Sequence, residues 1–146
     1  MIKMPSEKYK KYIAPSGWYE LQLPDVWESE QGQDCLSLCD STKSFGVLQV
    51  SVHQFPQDEN VNPKNELIEY LKDQDFKYAP GDIKTSNLNG KEIAEIKCVD
   101  QQEQFWKIWF IVQNNKMFFL TYNCDLKDKD SEIQTIEEIV KSIKAN

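Results

Sequence analysis

Glu103-Gln104-Phe105-Trp106-Lys107-Ile108-Trp109-Phe110-Ile111-Val112-Gln113 is the stretch that decides the fold. At the two-residue period of a strand, Trp106, Ile108, Phe110 and Val112 make one wholly apolar face. Phe105, Lys107, Trp109 and Ile111 make the other, broken by a single lysine. A strand apolar on both sides has no face to give to water. It belongs in the middle of a sheet that is covered above and below.

The flanking sequence supplies that sheet. Asn114-Asn115 turns the chain into residues 116–124, rich in Phe118, Phe119, Leu120 and Tyr122. Upstream, 83–88 and 92–99 flank Asn89-Gly90, a dipeptide suited to a two-residue hairpin because both positions accept positive φ. Residues 18–23 alternate Tyr19, Leu21 and Leu23 with Glu20 and Gln22, and Pro24 ends the run. Short strands follow at 35–39 and 46–55, the second with Val47, Gln49, Ser51 and His53 opposite Leu48, Val50 and Val52.

Two helices complete the pattern. Asn62-Pro63 combines a capping side chain with a proline suited to the first helical position, and Leu67, Ile68 and Leu71 extend the helix to about Asp75. Ser131-x-x-Gln134 reads as a capping box ahead of Ile133, Ile136, Val140 and Ile143. Hairpin-length links dominate between the strands. The prediction is an α+β domain, a mainly antiparallel sheet of about six or seven strands sandwiched between helices. It forms a single domain over 1–146, with 1–14 as a loosely attached N-terminal arm.

Composition agrees. Leu, Ile, Val and Phe make up 37 of 146 residues, about 25%, above the floor of roughly 20% below which charged chains stay disordered. The formal charge is −7, with 17 lysines and no arginine. A phosphate-backbone binder wants the opposite charge, and the guanidinium fork that grips phosphate is missing, so no nucleic acid is expected. No apolar run approaches the roughly 20 residues of a membrane-spanning helix. With no secretory h-region near Met1, the expected location is the cytoplasm, and Cys35, Cys39, Cys98 and Cys124 are expected as free thiols.

Catalytic and ligand signatures are missing. The five glycines are isolated, and no Gly-x-Ser-x-Gly or His-Glu-x-x-His occurs. Cys35 and Cys39 on one strand would lie about 13 Å apart, too far to share a zinc ion. No cofactor, metal site or catalytic residue is assigned. His53, the one histidine, offers the alternative of a small-molecule-binding protein or hydrolase with a pocket beside it.

Charge is unevenly spread. Residues 1–11 carry a net +3, whereas 12–42 hold six acids and no lysine. That acidity centres on a turn, Pro24-Asp25-Val26-Trp27-Glu28-Ser29-Glu30, with Asp34 just beyond. Asp25, Trp27, Glu28, Glu30 and Asp34 are therefore the candidate protein-binding surface, suited to a basic protein partner. For Trp27 itself the favoured reading tucks the ring back over the sheet edge, whereas the acids are left open between a docking surface and a solvated turn.

Gly17-Trp18-Tyr19-Glu20-Leu21-Gln22-Leu23-Pro24-Asp25-Val26-Trp27 resembles the opening of the Mog1/PsbP-like superfamily, where a first strand runs into a Pro-x-x-Trp turn. Phe118-Phe119-Leu120-Thr121-Tyr122, leading to Glu138-Ile139-Val140-Lys141-Ser142-Ile143, resembles its close. Within it the sequence is most similar to uncharacterised small bacterial domains. The resemblance implies an antiparallel sheet between helices. It also implies a non-enzymatic, protein-binding role, as an adaptor, effector chaperone or immunity-type protein. No transit or lipoprotein signal accompanies it here.

Overall fold

The computed structural model describes residues 8–146. Ten strands and two helices follow in the order β1 (Tyr9–Ile13), β2 (Tyr19–Pro24), β3 (Trp27–Gln31), β4 (Leu36–Asp40), β5 (Gly46–Gln54), α1 (Pro63–Lys72), β6 (Lys84–Leu88), β7 (Lys91–Val99), β8 (Gln104–Gln113), β9 (Lys116–Asp125), α2 (Ile133–Ser142) and β10 (Lys144–Ala145). Seven strands form one sheet in the order β3-β4-β5-β9-β8-β7-β6, antiparallel at every pairing. β1, β2 and β10 form a second, three-stranded sheet. No described helix is long and apolar enough to cross a membrane.

β8 sits where its composition requires, between β9 and β7. Trp109 and Ile111 enter a core shared with Leu21 and Leu23 of β2 and with Ile136, Ile139 and Val140 of α2. Ile108 and Phe110 enter a second core beneath Leu67 and Leu71 of α1. Each fully buried aliphatic or aromatic side chain contributes roughly 1.5–3 kcal/mol of transfer free energy. The two-sided apolar strand is thus the common wall of both cores.

Local signals act as expected in several places. Asn62 Oδ1 accepts hydrogen bonds from the backbone N–H groups of Lys64 at 2.9 Å and Asn65 at 3.2 Å. Asn89 and Gly90 adopt φ of 52° and 81°, which closes the β6–β7 hairpin. Asn114 and Asn115, at 55° and 53°, close β8–β9 the same way.

Other expectations need correction. The first helix stops at Lys72 rather than Asp75. Asp73 and Asp75 are unfavourable at the negative end of a helix dipole, and Phe76 leaves to pack against Trp106 at 5.6 Å between ring centroids. The capping box does not form, because α2 begins one residue after Glu132, with no side-chain cap. Glu132 instead accepts a 2.6 Å hydrogen bond from the Tyr122 hydroxyl. Residues 27–31 are strand, not turn, so the turn between β2 and β3 is only Asp25-Val26. It carries the chain from the small sheet to the large one. Of the arm expected over 1–14, residues 1–7 lie outside the described residues, while residues 9–13 are β1, paired along its whole length with β2.

Candidate binding face of the sheet

α1 packs on β7 and β8, and its Tyr70 reaches Phe119 of β9 at 4.9 Å between centroids. Beyond that contact the same side of the sheet continues over β5, β4 and β3. Alternation places Val47, Gln49, Ser51 and His53 of β5 on this side, because their neighbours Leu48 and Val50 are in the core. Ser37 and Cys39 of β4 stand beside them, opposite Gln49 and next to Val47. In the β3–β4 register Glu28 faces Cys39 and Glu30 faces Ser37. All of these side chains are exposed or half-buried, Val47 at 37%. The result is a polar half-sheet rimmed by two carboxylates.

The electrostatics agree with that placement. Burial pushes the Cys39 thiol up, and the negative charges of Glu28, Asp40, Glu132 and Glu30 push it further. Among the described residues neither Glu28 nor Glu30 forms an ion pair. Lys10 and Lys11 belong to β1 of the small sheet. There Lys11 pairs with Glu20 at 3.3 Å, and Lys10 donates to the Asp25 carbonyl oxygen at 3.1 Å.

The five residues singled out from sequence are not one cluster. Glu28 and Glu30 share the open face, while Asp25 and Asp34 are exposed at opposite ends of β3. Trp27 does not belong to the surface. At 2% exposure it is part of the main core, turned inward because it sits opposite Asp40 on the core side of the register. Gln49 and Ser37, whose side chains meet at 3.4 Å, were not foreseen as part of a site. Their short alternation with Leu36, Leu38, Leu48 and Val50 carried the signal.

His53 is exposed on the same face and makes no side-chain hydrogen bond among the described residues. Among the described residues no carboxylate forms an ion pair with it. The same residues contain no group of three His, Cys, Asp or Glu side chains placed to hold a metal ion. All four cysteines stand as free thiols, with Cys98 and Cys124 buried. A cleft of about 400 Å³ opens at the far edge of the sheet beside Lys84, Glu95, Lys97 and Lys107. Its one buried cation, Lys107, is already held by Glu95 and Glu137.

No protein-family model matches the chain, and no curated protein matches it in sequence. Solved structures do. The chain is similar to a protein of Bacteroides thetaiotaomicron VPI-5482, with a TM-score of 0.71 and 18% identity over 94% of this chain and 48% of that one. It thus spans about half the length of that protein. It is similar to cyanobacterial PsbP, CyanoP, of Synechocystis sp. PCC 6803, with a TM-score of 0.68 and 11% identity over 94% of this chain and 92% of the other. LpqN of Mycobacterium tuberculosis, involved in cell envelope biogenesis, is similar with a TM-score of 0.58 and 10% identity over 97% and 92% of the two chains. At these identities the likeness is one of fold.

Proposed function

The chain has the Mog1/PsbP-like fold, and we propose that it uses it as a non-catalytic protein-binding module. The contact surface is the open half-sheet, and the partner is a protein with a basic surface. One observation carries this reading. A broad, polar, partly exposed stretch of sheet lies beside a helix that covers only the other half, and its rim holds two carboxylates with no ion-pair partner among the described residues. Such a rim attracts positive charge and repels negative, which gives steering and partner choice more than raw affinity.

Capture from extract of the native cell tests it. Wild-type domain and the Glu28→Lys/Glu30→Lys variant are immobilised side by side, after circular dichroism confirms that both are folded. A bound protein lost from the variant supports the reading, above all if raised salt also releases it. Equal capture by both forms removes this face from consideration.

A further inference from the structure

Among the described residues β3 is an edge strand, paired only with β4. The hydrogen bonds from Ser41 N–H to the Val26 carbonyl at 3.3 Å and from Gly32 N–H to the Cys35 carbonyl at 2.8 Å fix the phase of this ladder. In that phase Glu28 and Glu30 turn their backbone groups toward β4, and Ser29 and Gln31 turn theirs away. Both outward residues are exposed. Among the described residues no backbone or side-chain group pairs with the N–H or C=O of either one.

We propose that this edge takes up an extended, lysine- or arginine-bearing segment of the partner as an eighth strand, antiparallel to β3. The inference rests on the binding-module reading and specifies its mode. Side-chain placement selects the occupant. A strand hydrogen-bonded to Ser29 and Gln31 sets its intervening residues opposite Glu28 and Glu30, in the closer, non-hydrogen-bonded positions where cross-strand charges are felt most. Basic side chains there are neutralised by the carboxylates. A second copy of this chain, paired about Ser29, would set Glu28 against Glu30 and Glu30 against Glu28. That like-charge contact disfavours edge-to-edge self-association and leaves a basic strand as the fitting occupant.

The probes are three synthetic nine-residue peptides, followed by NMR titration and amide exchange. One alternates threonine and lysine, the second is the same peptide N-methylated at its threonine amides, and the third has glutamate for lysine. The lysine peptide is expected to bind and to slow exchange of the Ser29 and Gln31 amides at least about fivefold. The N-methylated and glutamate peptides should bind at least about tenfold more weakly. Ser29→Pro removes one outward N–H without touching the β4 ladder, a place where edge strands tolerate proline, and should abolish binding in a folded protein. Gln31→Pro repeats the test at the second outward position.

If the N-methylated peptide binds as well as its parent, or Ser29→Pro binds like wild type, the partner docks by charge on the face. Strand addition is then overturned while the binding-module reading stands. If no peptide binds, strand addition is likewise overturned, and the capture experiment alone judges the wider reading.

Discussion

Lys107 of β8 is buried, its side chain 4% exposed, and its ammonium lies 3.3 Å from the carboxylate of Glu95 on β7. The same ammonium meets Glu137 of α2, and it stands 5.2 Å from the centroid of the Trp109 ring. The lysine that interrupts the apolar face of β8 therefore ties Glu137 of α2 to Glu95 of β7, alongside the apolar packing of Ile136, Ile139 and Val140.

Lys107→Met removes the cation, keeps most of the side-chain volume and leaves two partly buried carboxylates unpaired. A loss of about 3 kcal/mol at neutral pH is expected. Urea unfolding at pH 7 measures it, and the same substitution in a Glu95→Gln/Glu137→Gln background should cost clearly less. A cost unchanged in that background would mean that the ammonium contributes by packing alone.

Gly46→Ala tests the other end of α2. A β-carbon at Gly46 would overlap the carbonyl oxygen of Asn123 and come within 2.7 Å of the Tyr122 hydroxyl. Backbone cannot move aside cheaply, and a displaced Tyr122 loses its bond to Glu132. The substitution should cost about 2–3 kcal/mol. Gly81→Ala, which meets no atom within 4 Å, is the control and should change little.

Glu132 gives the pH dependence its sign. Burial, with the Asp40 charge behind it, raises its carboxyl above the ordinary 4.5 despite the opposing bond from Tyr122. The folded state therefore holds this proton more tightly than the unfolded chain. The stability contributed is present below 4.5 and is lost as pH rises through the folded value. Glu132→Gln keeps an acceptor for Tyr122 but never ionises, so its Tm should gain on wild type between pH 4 and pH 7. Asp40 and Asp100 have the opposite sign. Burial works against each, but their hydrogen bonds hold them below 3.8, and their contribution fades only as pH falls beneath that value. A Tm difference that stays constant from pH 4 to pH 7 would refute the assignment to Glu132.

Of the four thiols, Cys39 reports on the acidic face and Cys98 serves as its buried contrast. Cys98, buried and beside the Asp100 charge, is pushed up to about 12 and should resist alkylation at pH 8 in the folded protein. Cys39 is only partly buried, and its resistance comes in part from Glu28 and Glu30. Glu28→Gln/Glu30→Gln should therefore speed iodoacetamide labelling of Cys39 about twofold at low salt, with peptide mapping as the readout. No change would place the two carboxylates away from this thiol.

Legibility in the sequence followed burial. Phe105–Val112, Ile93–Val99 and the isoleucines of α2 were readable because a side chain that enters a core must be apolar at the period of its element. β3 was not. Only Trp27 of its five residues is buried, so Glu28-Ser29-Glu30-Gln31 carries no alternation and looks like a polar turn. β10 spans two residues, too few to show any period. Of the proposed site, Glu28 and Glu30 were legible through their charge, whereas Ser37 and Gln49 read only as the polar side of short strands.

By itself the sequence determined that a large antiparallel sheet would form, that β8 lies in its interior, where its hairpins at Asn89-Gly90 and Asn114-Asn115 close and that acidity gathers before residue 42. These are local consequences of periodicity, turn conformation and composition. The tertiary structure alone decided that β2 leaves the large sheet for a small one and that β3 becomes an exposed edge. Pairing partners and layer order depend on contacts between residues far apart in the chain. No local pattern encodes which edge of a sheet is left unpaired.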